Sequence, residues 1–207
     1  MSSRRDDVVT QFIGQVVAAD STGENRDADD QEGLAGFLHS YYRYAAPEDL
    51  LDHEPAYLLS AALSHRGLGQ QRPPGQAAVR VLGAGSDARR EAGAGTVVEI
   101  VTDDMPFLVD TVTAELIRRG LSVDQVFHPQ LPVRRDRSGT LVEVPTVGGA
   151  NGDRVIESWI RVKIGGTSEP ANPAQLSAGL QSVLTDLRRA VEDWLPMQER
   201  AWRSPKS

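Results

Sequence analysis

The stretch that decides the fold is TVVEIVTDDMPFLVDTVTAELIRRGLSV, residues 96–123. Val97, Val98, Ile100 and Val101 form a short β-branched run with one polar interruption, the composition of a strand covered on both faces. Asp103 and Asp104 then break the strand and are placed to cap a following helix. Pro106 falls in that helix's first turn, where a missing N–H costs nothing. Leu108, Val112 and Leu116 recur at i, i+4, with Val109 alongside, so one helical face is apolar. Glu115 precedes Arg119 by four residues on the polar side, a helix-supporting spacing. Gly120 ends the helix. Strand, acidic turn, helix and second strand together have the βαβ pattern of small-molecule sensing.

Outward from this unit the chain is acidic. It has 207 residues, a formal net charge of −7 and a sequence pI near 5.1. Phosphate binding relies on clustered Lys and Arg, so this balance argues against nucleic acid as a partner. The densest basic cluster, Arg134, Arg135 and Arg137, is expected in a solvated hairpin tip. Hydrophobic residues make up 40% of the chain, enough for one ordinary core with a helical extension. There are no cysteines. That excludes disulfides, thiol nucleophiles and Cys-ligated metals, and fits a cytoplasmic protein. The first twenty residues lack the form of a secretory signal. No run approaches the ~18 apolar residues of a membrane span.

Residues 1–19 read as a short amphipathic helix on Val9, Phe12, Ile13, Val16 and Val17. Residues 20–33 read as a mobile acidic linker. A helical portion follows over 34–76. Leu34, Phe37, Leu38, Tyr41 and Tyr42 share a face there, Pro47 and Pro55 start new helices, Gly67 ends the last, and QQRPPGQ at 70–76 forms a hinge. From 77 to 202 the pattern is that of an α+β domain. Ala77–Leu82, Ser122–Phe127, Thr140–Val144 and Val155–Ile164 are expected strands. His128-Pro129 closes or bends one of them, and turns fall at 136–139 and 148–153. In 155–164, Ile156, Ile160, Val162 and Ile164 share one face, and Glu157, Arg161 and Lys163 the other. A long helix then starts at Asn172-Pro173, carries Leu176, Leu180 and Leu184 on one face, and ends at Pro196. Residues 203–207 are a tail. The element order predicts an antiparallel sheet with helices on one face, preceded by an all-helical N-terminal portion.

Signatures of chemistry are scarce. Gly83-Ala84-Gly85-Ser86-Asp87-Ala88 has the spacing of a dinucleotide loop, but only about a dozen residues separate it from the next strand, too few for a crossover helix. It is expected to be a loop. His39, His53, His65 and His128 lack metal-ligand spacing and are expected at the surface or in caps. Trp159, Trp194 and Trp202 suit core or interface anchors. No catalytic, cofactor or metal residue is assigned. The turn Thr102, Asp103, Asp104, Met105, Pro106 and Phe107 presents N–H groups at a helix N-terminus, where an amino-acid carboxylate could sit. It is the candidate ligand site, set against a turn that only joins strand to helix.

VTDDMPFLVDTVTAELIRRGLSV resembles the opening of an ACT domain, the ferredoxin-like βαββαβ module that regulates amino-acid enzymes. Asp104, Pro106, Leu108 and Val109 match its Asp-x-Pro-Gly-Leu-Leu turn, and Gly120, Leu121 and Val123 match its Gly-Leu-x-Ile. Phe107 stands where that family has glycine, which shifts the reading from ligand binding toward packing and assembly. An ordinary ACT module also ends in a strand, and Ala77–Leu82 is the segment that could fill its place. YYRYAAPEDLLDHEPAYLLSAALSHR, DDMPFLVDTV, FHPQLPVRRDRSG and ESWIRVKI, in that order, resemble the N-terminus of the large NAD-specific glutamate dehydrogenases over most of 34–202. The resemblance implies a regulatory or assembly module, inactive alone, of an oligomeric enzyme of glutamate catabolism. It places NAD and the oxidation of glutamate to 2-oxoglutarate in another domain. Partners implied are other domains and subunits, an amino-acid effector, or a forkhead-associated regulator. A free-standing enzyme using Asp103 or His128 as base is the third possibility.

Overall fold

A computed structural model describes residues 9–16, 28–83, 95–145, 154–165 and 172–203. Helix α1 spans 9–16, followed by α2 (Ala28–Tyr42), α3 (Pro47–Leu51) and α4 (Pro55–Gly69). The sheet comprises β1 (Ala78–Leu82), β2 (Val97–Asp103), β3 (Ser122–Phe127), β4 (Gln130–Arg135), β5 (Leu141–Glu143) and β6 (Val155–Gly165). Helix α5 (Leu108–Arg118) joins β2 to β3, and α6 (Pro173–Arg203) follows β6.

All strand pairs are antiparallel. β2 and β6 form the centre, with Val97 opposite Lys163 and Asp103 opposite Glu157. β1 flanks β2, Ala78 opposite Val101. β3 and β4 run one after the other along the far edge of β6, separated at His128-Pro129 as expected. The order β1-β2-β6-β3 is that of a ferredoxin-like sheet. The segment before β2 fills the place of the strand that an ACT module carries at its end.

The architecture is α+β, and α5 and α6 share one face of the sheet. Val98, Ile100, Ile160, Val162 and Ile164 pack there against Leu108, Val112 and Leu116 of α5 and Leu176, Leu180 and Leu184 of α6. The other face is covered by the N-terminal helices. Phe37, Leu38 and Tyr41 of α2 and Leu58 and Ala62 of α4 close over Val101 and Trp159, with α1 packed behind them. β2 is therefore buried along almost its whole length. Gly69 is essential to this closure, because a Cβ there would lie 2.6 Å from the Trp159 ring.

Helix ends follow local chemistry. Pro47 and Pro55 open α3 and α4. Asn172 Oδ1 accepts the Gln175 N–H at 3.0 Å at the start of α6. Gly120 (φ +79) terminates α5; its N–H donates to Ile117 O and the Leu121 N–H to Leu116 O, a left-handed cap that favours glycine.

Several boundaries differ from expectation. α2 begins at Ala28, so 28–33 is helix rather than linker. Residues 17–27 lie outside the described residues. α4 continues through Gly67 to Gly69. α6 runs past Pro196 to Arg203; proline removes one N–H bond without ending the helix. The 70–76 segment is tied down rather than a hinge. Arg72 N–H donates to Gly139 O at 3.0 Å, Leu141 N–H donates to Gln70 O at 2.9 Å, and Arg72 is 2% exposed. The loop holding the Gly83–Ala88 motif falls largely outside the described residues, as does the turn at 148–153. Among the described residues, no helix is long and apolar enough to cross a membrane.

Candidate functional site

The six residues of the candidate turn are contiguous between the end of β2 and the start of α5. Thr102 is buried, and its Oγ1 has no hydrogen-bond partner among the described residues. Asp103 does not cap α5. Its Oδ1 accepts from Arg72 at 2.5 Å and its Oδ2 from Arg188 of α6 at 2.6 Å. Burial pushes the Asp103 carboxyl up, but the two guanidiniums outweigh it and hold the group below its ordinary value.

Asp104 does not cap the helix either. Its N–H donates to Ile156 O at 3.0 Å, and its Oδ1 accepts from Ser158 Oγ at 2.5 Å and Gln130 Nε2 at 2.9 Å. The Ser158 hydroxyl proton is thus committed to Asp104. His128 Nε2, 2.8 Å from Ser158 Oγ, must then be the donor of that contact. Burial lowers the His128 pKa, partly countered by the Asp104 charge. Ser158 is fully buried and bonded at both sides, so the trio fixes the turn and presents no accessible nucleophile.

Met105 packs on the α5/α6 core, while Pro106 and Phe107 are exposed. Phe107 is the α5 N-cap, with φ +66 and no side-chain cap bond; the Thr111 N–H donates to its carbonyl at 2.9 Å. It is the one positive-φ non-glycine residue described. The backbone keeps the left-handed conformation a glycine would take, and the phenyl ring is 61% exposed. The aspartates do not cap because α5 begins only at Leu108 with Phe107 as its N-cap, which leaves Asp103, Asp104 and also Pro106 outside its first turn; their carboxylates bond to other elements instead.

Those partners form a buried ion network absent from the sequence expectation. Glu157 Oε1 accepts from Arg72 at 2.6 Å and Arg135 at 2.6 Å, and its Oε2 accepts the Trp159 indole N–H at 3.1 Å. Arg135 is not in a solvated tip: its side chain is 8% exposed. Arg72, Asp103, Arg135, Glu157 and Arg188 thereby tie the 70–76 segment, β2, β4, β6 and α6 together beside the turn. A second network lies along the same face. Glu99 accepts from Arg80 at 2.6 Å and from Arg161. His65, expected at the surface, is fully buried. Its Nε2–H donates to Ile100 O at 3.1 Å, so Nδ1 accepts the Tyr41 hydroxyl at 2.8 Å. Burial drives the His65 pKa down to about 3, consistent with this neutral tautomer. The signal for these networks was charge at 99, 157 and 161 within apolar strands. Their partners at 72 and 80 carry no spacing that links them.

Among the described residues, no group of His, Asp and Glu is arranged to hold a metal ion. The described sheet is antiparallel throughout. It therefore lacks the parallel-strand crevice of a doubly wound dinucleotide site.

Residues 37–180, well over half the chain, match the family model described as glutamate dehydrogenase, ACT1 domain. The chain is 33% identical over 175 residues to an NAD-specific glutamate dehydrogenase of Halomonas elongata, covering 84% of this chain and 11% of that protein. It is 28% identical over 165 residues to the NAD-specific glutamate dehydrogenase of Pseudomonas aeruginosa (80% of this chain, 10% of that one). With that of Mycobacterium tuberculosis it shares 28% over 141 residues (67% and 8%). The chain thus spans about a tenth of the length of these relatives. No solved structure matches it. A ferredoxin-like sheet completed from its N-terminal side, an ACT-type turn and these matches agree: the chain belongs to the ACT1 domain family of the glutamate dehydrogenases, an N-terminal region of the NAD-specific enzymes.

Proposed function

We propose that this chain is a regulatory and assembly module of an NAD-specific glutamate dehydrogenase and is not catalytic by itself. Oxidative deamination of L-glutamate to 2-oxoglutarate and ammonium, with NAD as acceptor, belongs to the rest of the parent enzyme. The observation that carries this reading is the bracing of the 102–107 turn by Arg72 and Arg188 through Asp103. A turn clamped from two other elements suits transmission of packing between parts of an enzyme better than chemistry. In this reading 34–76 and 77–202 act together, the parent is a cytoplasmic homo-oligomer, and the partners are its other domains and subunits or a forkhead-associated regulator. Incubation of the 207-residue chain with glutamate and NAD should yield no NADH; sustained NADH formation overturns the proposal.

A second reading is an amino-acid sensor with its ligand at Thr102–Phe107. The buried, unpartnered Thr102 Oγ1 beside the N-terminus of α5 favours it. Calorimetric titration with a panel of amino acids is its test. Heat with one of them, abolished by Thr102→Val, supports the sensor; no heat with any removes it.

A further inference from the structure

A cleft opens on the face of the sheet opposite α5 and α6, where the N-terminal helices stop short of covering it. Its floor is one row across three strands, Val97, Lys163 and Gln125, paired in register on β2, β6 and β3. The next row supplies Phe127 beside Arg161. The walls come from the end of α2 and from α3 and α4. Tyr42 lies against Phe127 with ring centroids 5.5 Å apart, and His53 stacks on Tyr57 at 5.1 Å with planes 24° apart. The cleft is open to solvent, and about 550 Å³ of empty space lies within and above it.

Its electrostatics are one-sided. Glu99, the carboxylate nearest the floor rows in register, is fully buried and already bonded to both Arg80 and Arg161. Lys163 adds a further positive charge. It is only partly buried and has no ion pair or hydrogen bond among the described residues. Aromatic and aliphatic walls around one ammonium that is unpaired among the described residues select a ligand with one anionic group and an apolar body. A phosphate dianion would need more donors than this floor presents.

We propose that this cleft binds a small monocarboxylate with an aromatic or branched apolar tail, its carboxylate on Lys163 and its tail between the Tyr42–Phe127 and His53–Tyr57 walls. The site lies at the Val97 end of β2, at the opposite end from the 102–107 turn, and shares no residue with it, so each can fail alone. Such a ligand would bridge α3 and α4 to the sheet and tighten the helical portion onto it.

The test is titration of the ¹⁵N-labelled 207-residue chain with phenylacetate, 3-phenylpropionate and 4-methylvalerate, read by amide chemical shifts. Phenylacetamide, which lacks the charge, and acetate, which lacks the tail, serve as comparisons. The expected result is saturable shifts at Tyr57, Gln125 and Lys163 with at least one acid, and weaker binding of acetate. Lys163→Gln should weaken the acid about tenfold, the loss of one charge-assisted hydrogen bond, and leave phenylacetamide unchanged. Tyr57→Leu should weaken both, and thermal midpoints close to that of the parent chain show that the variants fold. Absence of binding by all three acids overturns the proposal. So do shifts confined to 102–107, or a Lys163→Gln chain that binds the acid as tightly as before.

Discussion

The two faces of one sheet are held by opposite chemistry. Toward α5 and α6 the strands present Val98, Ile100, Ile160, Val162 and Ile164, and the interface is aliphatic side chains interlocked with leucines. Toward the N-terminal helices the same two strands present Glu99, Glu157, Trp159 and Arg161, all buried. The first face draws its stability from removing apolar area from water. The second depends on complete pairing, because a buried charge without its partner costs several kcal/mol. The lesson is that the helical extension is not a loose addition. It provides the cover of α2 and α4 and leads into Arg72, without which Glu157 of β6 would keep Arg135 alone as its charged partner.

The comparison can be broken most forcefully at Glu157. Glu157→Gln leaves Arg72 and Arg135 buried without their shared carboxylate and should lower stability by about 3–5 kcal/mol in urea unfolding. Leu180→Ala on the apolar face opens a cavity in a leucine cluster and should cost about 3 kcal/mol. If the leucine change proves much the worse of the two, the ionic face is not the more brittle. Acid should separate the faces further. His65 has its pKa pushed down to about 3 by burial, below its value in the unfolded chain. The unfolded state therefore takes up a proton that the folded state refuses, and stability is full above pH 6.5 and falls as pH drops. Between pH 6.5 and 5 the loss should be roughly 2 kcal/mol, read from thermal midpoints. His65→Gln should flatten that dependence; an unaltered slope would place the titrating group elsewhere. Asp103, also depressed, stabilises the fold above the ordinary carboxyl range, and that stabilisation is lost only at lower pH, as its carboxyl takes up a proton. The smallest effect belongs to Arg134, paired with Glu143 at 3.2 Å on the exposed β4–β5 hairpin. Arg134→Ala should change stability by less than about 1 kcal/mol.

The apolar face was legible because its signal is periodic. The i, i+4 leucines of α6 and the alternation of 160, 162 and 164 identify their partners by hydrophobicity alone. The ionic face was not, because alternation in β6 reads the same whether Glu157 and Arg161 meet water or buried arginines. Arg72 sits between glutamines and prolines, a context that suggests a hinge, and only the tertiary fold shows it buried. The burial of His65 was not legible for a similar reason: a lone histidine on a helix carries no mark of the tyrosine 24 residues away whose hydroxyl donates to it. The candidate turn was located correctly as a strand-to-helix junction, but the partners of its aspartates come from 72, 130, 158 and 188, beyond any local pattern. Gly120 was legible, since a left-handed helix end asks for glycine; Phe107 in the same conformation was not, since no residue type announces it.

The pairing of β2 with β6 also sets a pace. Its partners are distant in the chain, Val97 with Lys163 and Asp103 with Glu157, and every other layer rests on that ladder. Local helices can form in microseconds, whereas closing so long a loop is slow. Trp159, Glu157 and Glu99, onto which the N-terminal helices dock, all belong to these two strands. The helical segment precedes both strands in the chain, so it is synthesised before the surface on which it docks, and until that surface exists its apolar face has no seat.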